Sequence, residues 1–234
     1  MFCIDATALL RMKTLTLFQP EGSSPDPNIE NLLPEDRHSK ILDVGCGMGH
    51  FIQRLQSKGY TNVSGVEVSA EQADFCRQRV AKNVSRTSDI VTFLSERPES
   101  FDCIALLDVI EHLPRPLVIP TLSAIFNALK MSGSFVVKTG NLASLSGTFI
   151  RYIDFTHESG FTENSLRQVL RAVGFKEIDV RGNVTPVYSW RSYIRIALQR
   201  SLHFLLRVIY SIDRGWNTSP LILSPMLVAR AIRK

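Results

Sequence analysis

From Lys40 onward, short apolar runs alternate with segments whose apolar residues recur at helical spacing. Ile41–Val44 is an apolar run that ends in glycines, which predicts a buried strand and a tight turn. Phe51, Ile52 and Leu55 then predict a helix over Gly49–Lys58, stopped by Gly59. Val63–Val68 reads as a second strand, and Ser69 caps a helix running to about Lys82. Ile90–Leu94 is expected as a third strand, and Phe101–Leu107, almost wholly apolar, as a central fourth. A helix over Leu117–Lys130, a fifth strand over Ser134–Thr139 and a helix over Thr162–Val173 follow. Phe175–Val180 and Met226–Ile232 read as the last two strands. Strands alternating with helices between residues 40 and 175 imply a doubly wound α/β sheet, mostly parallel.

Two regions depart from that rhythm. Residues 20–39 are rich in Pro, Ser and acids and read as a linker with at most one short helix, preceded by a loosely attached arm. About 45 residues separate the last two strands, where a hairpin would be usual, and connections that long are generally functional or structured. Within them, residues 188–214 predict a helix with Ile194, Leu198, Leu205, Ile209 and Ile212 on one side. Arg191, Arg195, His203 and Arg207 fall on another, making an amphipathic basic helix.

Charge sharpens this picture. Residues 1–129 carry 12 Lys and Arg against 16 Asp and Glu, whereas residues 130–234 carry 15 against 6. Residues 181–234 hold nine basic groups and one acid, Asp213, which suits an anionic membrane surface or a polyanion. The four cysteines lie far apart with no CxxC pair, so neither a disulfide framework nor a zinc site is expected. No secretory signal and no spanning run are read in the chain, and a cytoplasmic setting is expected, with peripheral contact at the inner membrane surface.

The chemistry concentrates after the first strand, in Asp43-Val44-Gly45-Cys46-Gly47-Met48-Gly49. Ligands of doubly wound sheets bind outside the carboxyl ends of the strands, and glycines let backbone approach a ligand closely. A dinucleotide fingerprint would require glycine at position 50, which is His50, so the GxGxG spacing points away from NAD. Glu67 ends the second strand about 20 residues later, where a carboxylate can accept both ribose hydroxyls of a nucleoside.

ILDVGCGMGHF, GVEVSAEQADFCRQR, FDCIALLDVIEHL and LKMSGSFVVKTGN together resemble the successive motifs of class I S-adenosylmethionine-dependent methyltransferases. The resemblance covers about residues 40–180. It implies a Rossmann-like seven-stranded sheet and S-adenosylmethionine as cofactor. Asp43, Gly45 and Gly47 would line its methionine end, with Cys46 and Gly49 completing the turn. Glu67 would hold the ribose, Val68 would pack on adenine, and Asp108 would lie beside the methionine portion. An acidic residue after the third strand often contacts adenine in the family; the stretch here reads Leu94-Ser95-Glu96 and leaves that contact unassigned. The implied organisation is an arm and linker over 1–39 and a methyltransferase domain over 40–234, with 183–224 a helical basic insert.

A hydroxyl acceptor needs a base, and His157 and His112 are the candidates. His112 follows the fourth strand in DVIEH, and His157 lies in YIDFTHE, where Asp154 or Glu158 would orient it. YIDFTHESGFTENSLRQVLRAVGF resembles methyltransferases acting on quinone precursors and on bacterial polysaccharides or their lipid-linked sugars. With the basic insert, the polysaccharide-associated group is the closer likeness. A sugar hydroxyl of a glycan or lipid-linked intermediate is therefore the expected acceptor. RNA, a quinone precursor and a non-catalytic cofactor-binding adaptor are the rivals. Asp108, Glu111, His112 and His157 resemble the E-x-x-E-H metal set of small-RNA 2′-O-methyltransferases, but Asp108 departs from it and no metal is expected. A homodimer is a further expectation for the insert, and nucleic acid is the less favoured partner.

Overall fold

A computed structural model of the protein describes residues 27–184, 187, 189–214 and 222–234. The arm expected before residue 20 lies outside them. Elements run in the order α1 (Pro27–Glu30), β1 (Ile41–Val44), α2 (His50–Ser57), β2 (Val63–Glu67), α3 (Ala70–Arg79), β3 (Val84–Arg86), α4 (Ile90–Ser95) and β4 (Phe101–Leu107). A single 3-10 turn (Ile110–His112) follows. Then come α5 (Arg115–Ala128), β5 (Leu129–Gly140), α6 (Gly147–Tyr152), α7 (Glu163–Ala172), β6 (Ile178–Gly182), α8 (Trp190–Arg214) and β7 (Met226–Ile232).

The sheet has seven strands in the order β3-β2-β1-β4-β5-β7-β6. β1 to β5 pair in parallel, and β7 runs antiparallel between β5 and β6. Leu42, Val44, Ile104, Leu106, Phe135 and Val137 point to one face, where α5 and α7 bury Leu122, Ile125, Leu166 and Leu170. Ile41, Cys103 and Val136 point to the other, against Ile52 and Leu55 of α2 and Ala73 and Cys76 of α3. Burial on both faces explains why these strands read as unbroken apolar runs.

The third strand falls elsewhere than expected. Val84–Arg86 pairs with β2, while Ile90–Leu94 belongs to helix α4. The cause is Asp89, whose Oδ1 accepts from the backbone N–H of Val91 (2.9 Å) and Thr92 (3.1 Å). That N-cap satisfies two orphan donors and starts a helix where apolar content alone suggested a strand. The stretch Leu94-Ser95-Glu96 is therefore the end of a helix, not the end of a strand.

The expected linker also contributes to the core. Ile29, Leu32 and Leu33 are buried in the same cluster as Ile52 and Leu55. Arg54 of α2 and Lys58 just after it hold Glu30 at 2.6 and 2.7 Å. Asn28 hydrogen-bonds to Asn183 and Val184, at the start of the insert.

Candidate active site

β1 lies between β2 and β4, so the carboxyl ends of these strands place Asp43, Glu67 and Asp108 side by side. Parallel connections leave in opposite directions on either side of β1, which opens a crevice there. Asp43 is buried, and its carboxyl is pushed up to about 7, chiefly by loss of water and then by the neighbouring Glu67. Asp108 carries an unusual φ of 54° and is paired with Lys138 at 3.1 Å.

Three glycines shape the turn between β1 and α2, and all have positive φ: Gly45 74°, Gly47 54° and Gly49 88°. Their reasons differ. A methyl group on Gly49 would collide with Cys76 of α3, so this glycine lets the two helices pack. A methyl group on Gly45 would stand 2.7 Å from Val109 Cγ2. Above Gly47 the nearest atom is Gln72 Oε1 at 3.6 Å, so a side chain there would fill an open cradle. Cys46 is buried, and burial, then Asp43, holds its thiol well above the usual range, which leaves it a packing residue.

Glu67 is 1% exposed and ties this turn together. Its Oε2 accepts from Gly47 N–H at 2.8 Å, and its Oε1 from Val68 and Ser69 N–H, both at 2.9 Å. Val68 is half-buried beside it. The residues fit a cationic nucleoside cofactor: an open cradle over Gly47, a nearly buried Glu67 with acceptor capacity left on Oε2, and Asp43 held close to ionisation. Sequence reasoning missed Asp89, which lies just beyond β3. Its Thr-Ser-Asp sequence before an apolar run was the cap signal that could have found it.

His112 and His157, 45 positions apart, come together with ring centroids 4.7 Å apart and planes at 59°. The connection after β5 is sewn onto the 3-10 turn, since Glu158 and Ser159 N–H donate to the Glu111 carbonyl at 2.9 and 3.0 Å. Arg151 donates to the His157 and Glu158 carbonyls and fixes the same strand of chain. His157 Nδ1 lies 2.8 Å from the Ile150 carbonyl oxygen, which only accepts, so in the neutral ring the proton sits on Nδ1 and Nε2 carries the lone pair.

Asp154 serves His112 rather than His157 by hydrogen bonding. Thr156 Oγ1 donates to Asp154 Oδ1 at 2.7 Å and therefore accepts from His112 Nδ1 at 2.8 Å. The Asp154 carboxyl stays below its ordinary range: burial opposes this, but hydrogen bonds from Thr156 and the charges of His112 and His157 outweigh it. Glu158 makes only backbone contacts in this cluster. One ligand atom each from His112, Asp154 and His157 lie within 4.8 Å of one another, a set with metal-ligand chemistry. It differs from the Asp108, Glu111, His112 and His157 set weighed from sequence, because Asp108 turns to Lys138.

Comparison with known proteins agrees with this fold. A methyltransferase-domain family model matches residues 21–180. The chain belongs to this methyltransferase family, and its fold is that of S-adenosylmethionine-dependent methyltransferases. An S-adenosylmethionine-dependent methyltransferase from Archaeoglobus fulgidus is 21% identical, with a TM-score of 0.61 over 83% of this chain and 86% of that one. A phosphoethanolamine N-methyltransferase from Haemonchus contortus, solved with S-adenosylmethionine, gives 0.61 at 19% identity, over 87% of this chain and 50% of that one.

Among curated relatives, ubiquinone biosynthesis O-methyltransferase of Idiomarina loihiensis is 32% identical over 44% of this chain and 42% of its own length. The enzyme of the same name from Xylella fastidiosa is 26% identical over 71% and 72%. Across the first three such relatives the chain spans between 42% and 57% of their length.

Proposed function

We propose that this protein methylates a hydroxyl group, with S-adenosylmethionine as donor and His157 as the general base. The observation that carries the reading is the Nδ1–Ile150 carbonyl bond, which leaves the Nε2 lone pair of His157 available for a proton. The bound cofactor supplies an activated methyl group on a sulfonium. Asp43 offers a carboxyl to that cation, Glu67 an acceptor to the ribose, and the cradle over Gly47 admits the cofactor's backbone-hugging portion, with Asp108 held beside it by Lys138. Asp89, which caps α4 just beyond β3, is the carboxylate we assign to the adenine amino group. His112, held by Thr156 and Asp154, orients the acceptor beside His157.

The acceptor read from the sequence is a sugar hydroxyl of a glycan or lipid-linked intermediate. The names of the curated relatives favour a second reading, the hydroxyl of a quinone precursor. Incubating the protein with labelled S-adenosylmethionine and each acceptor class, followed by mass spectrometry of the product, tests both. An O-methyl product supports the proposal and names the acceptor. Methylation at nitrogen or carbon in every active acceptor would overturn it.

A further inference from the structure

The long insert starts from the edge of the sheet that holds the candidate site. Gly140 at the end of β5 pairs with Met226 at the start of β7, and Gly182 at the end of β6 pairs with Leu227. The chain therefore leaves for α8 and returns from it level with the carboxyl end of β5. Asn141, fully buried, fastens the two connections: its Nδ2 donates to the Ile222 and Ser224 carbonyls, both at 2.8 Å.

Each connection exposes apolar side chains at that edge. In α8 none of the described side chains is buried, and the predicted seam of Ile194, Leu198, Leu205, Ile209 and Ile212 is at least 50% exposed throughout. It is not packed on its own domain. The connection that carries His157 exposes Phe149 and Tyr152 of α6 and Ile153 just after it, and Phe155 is 87% exposed. Both connections from the carboxyl edge thus carry an exposed apolar surface, one of them lined with arginines.

From this arrangement we infer that the carboxyl edge docks on an anionic membrane surface, with α8 lying in the interface and the Phe149–Phe155 rim dipping in beside His157. The inference rests on the proposed hydroxyl methylation and gives its acceptor a class, an amphiphile whose headgroup stands at the lipid–water boundary. Charge selects the occupant. Arg191, Arg195, Arg200 and Arg207 are all exposed and complement anionic headgroups, while the aliphatic seam needs an apolar medium that a nucleic acid does not offer. A second copy would offer those arginines no acidic surface, since Asp213 is the one acid in residues 181–234. Among the described residues no helix is long and apolar enough to cross a membrane.

Flotation with vesicles of phosphatidylcholine alone, or mixed with phosphatidylglycerol, tests the docking. The wild type should float with the mixed vesicles at low salt and not with phosphatidylcholine alone. Glutamate at Arg191, Arg195, Arg200 and Arg207 should lower partition by more than about 100-fold, at roughly five-fold per lost basic contact. Serine at Phe149, Tyr152 and Phe155 should also reduce flotation, while calorimetry still shows S-adenosylhomocysteine binding in both variants.

Absence of flotation, equal flotation with neutral vesicles, or wild-type flotation of the Phe149/Tyr152/Phe155 variant overturns the inference. So does a stable dimer in sedimentation that Leu198→Glu dissociates, or RNA binding that prevents flotation. His157→Ala should float like the wild type, so failure of docking and failure of the base assignment are separately visible.

Discussion

Val109 rests directly over the α-carbon of Gly45, so close that a methyl group on that glycine would stand 2.7 Å from Val109 Cγ2. Val109 leads into the 3-10 turn that carries His112. The contact joins the cofactor side of the crevice to the acceptor side through apolar packing. A glycine at 45 is thus needed for the seating of a neighbouring loop, whereas Gly47 is needed for open space.

Alanine substitutions should separate these roles. Both glycines have positive φ, so each change costs about 1–2 kcal/mol of backbone strain. Gly45→Ala should lose about 1–3 kcal/mol more by overpacking against Val109. In denaturant melts Gly45→Ala should be the less stable protein. Gly47→Ala should fold and yet bind S-adenosylhomocysteine weakly, and Gly47→Val should not bind it. Equal stabilities would count against the Val109 contact.

Asp43 should make both stability and cofactor affinity depend on pH. Its folded value of about 7 lies above the ordinary 3.8, because burial and Glu67 disfavour the charge. The native state therefore holds the proton more tightly than the unfolded chain. The resulting stabilisation is present below about pH 4 and is lost as pH rises through 7. Asp43→Asn should raise the melting temperature relative to wild type more at pH 8 than at pH 5. A bound cation favours the carboxylate, so S-adenosylmethionine should bind up to about tenfold more tightly per pH unit between 5 and 7. Calorimetry across that range checks this, and Asp43→Asn should flatten the trend.

Much of the scaffold was legible because buried parallel strands are apolar on both faces and the helices carry explicit caps. Ser69 accepts from Gln72 N–H and Thr162 forms a capping box with Ser165, both at helix starts read from the sequence. Ile90–Leu94 misled because a short apolar run has no period of its own, and there the Asp89 cap decides between helix and strand. Ile29, Leu32 and Leu33 were hidden among acids and prolines, although their spacing is enough to cover one end of α2. The pairing of His112 with His157 depends on the Glu111 carbonyl receiving two backbone donors, and backbone bonds of that range leave no mark on side-chain pattern.

The two histidines should have unequal effects. His157→Ala should lower turnover by about 100-fold or more with cofactor affinity nearly unchanged, since Nε2 is its free face. His112→Ala and Thr156→Val should mainly raise the KM for acceptor, because both disturb orientation rather than proton transfer. A turnover loss on His112→Ala without one on His157→Ala would reverse the assignment. Activity should survive a chelator. Loss on chelation with recovery on adding a divalent ion would instead make His112, Asp154 and His157 metal ligands.

Glu67 should matter to the folded chain before any ligand arrives. It accepts three backbone N–H bonds, from Gly47, Val68 and Ser69, in a site with almost no access to water. Each is a charge-assisted bond that holds the glycine turn against the start of α3. Glu67→Ala would leave those donors without their carboxylate, at a cost of about 2–4 kcal/mol for buried charged hydrogen bonding. Glu67→Gln keeps the shape but turns an NH2 group toward at least one N–H, so it should rescue only part of that loss. Both variants should also bind S-adenosylhomocysteine about 1–3 kcal/mol more weakly, through the lost acceptor for ribose hydroxyls. Denaturant melts of the cofactor-free protein separate the two contributions. If Glu67→Ala melts like the wild type and loses only ligand affinity, the carboxylate faces the ligand in solution and the turn is held by its glycines alone.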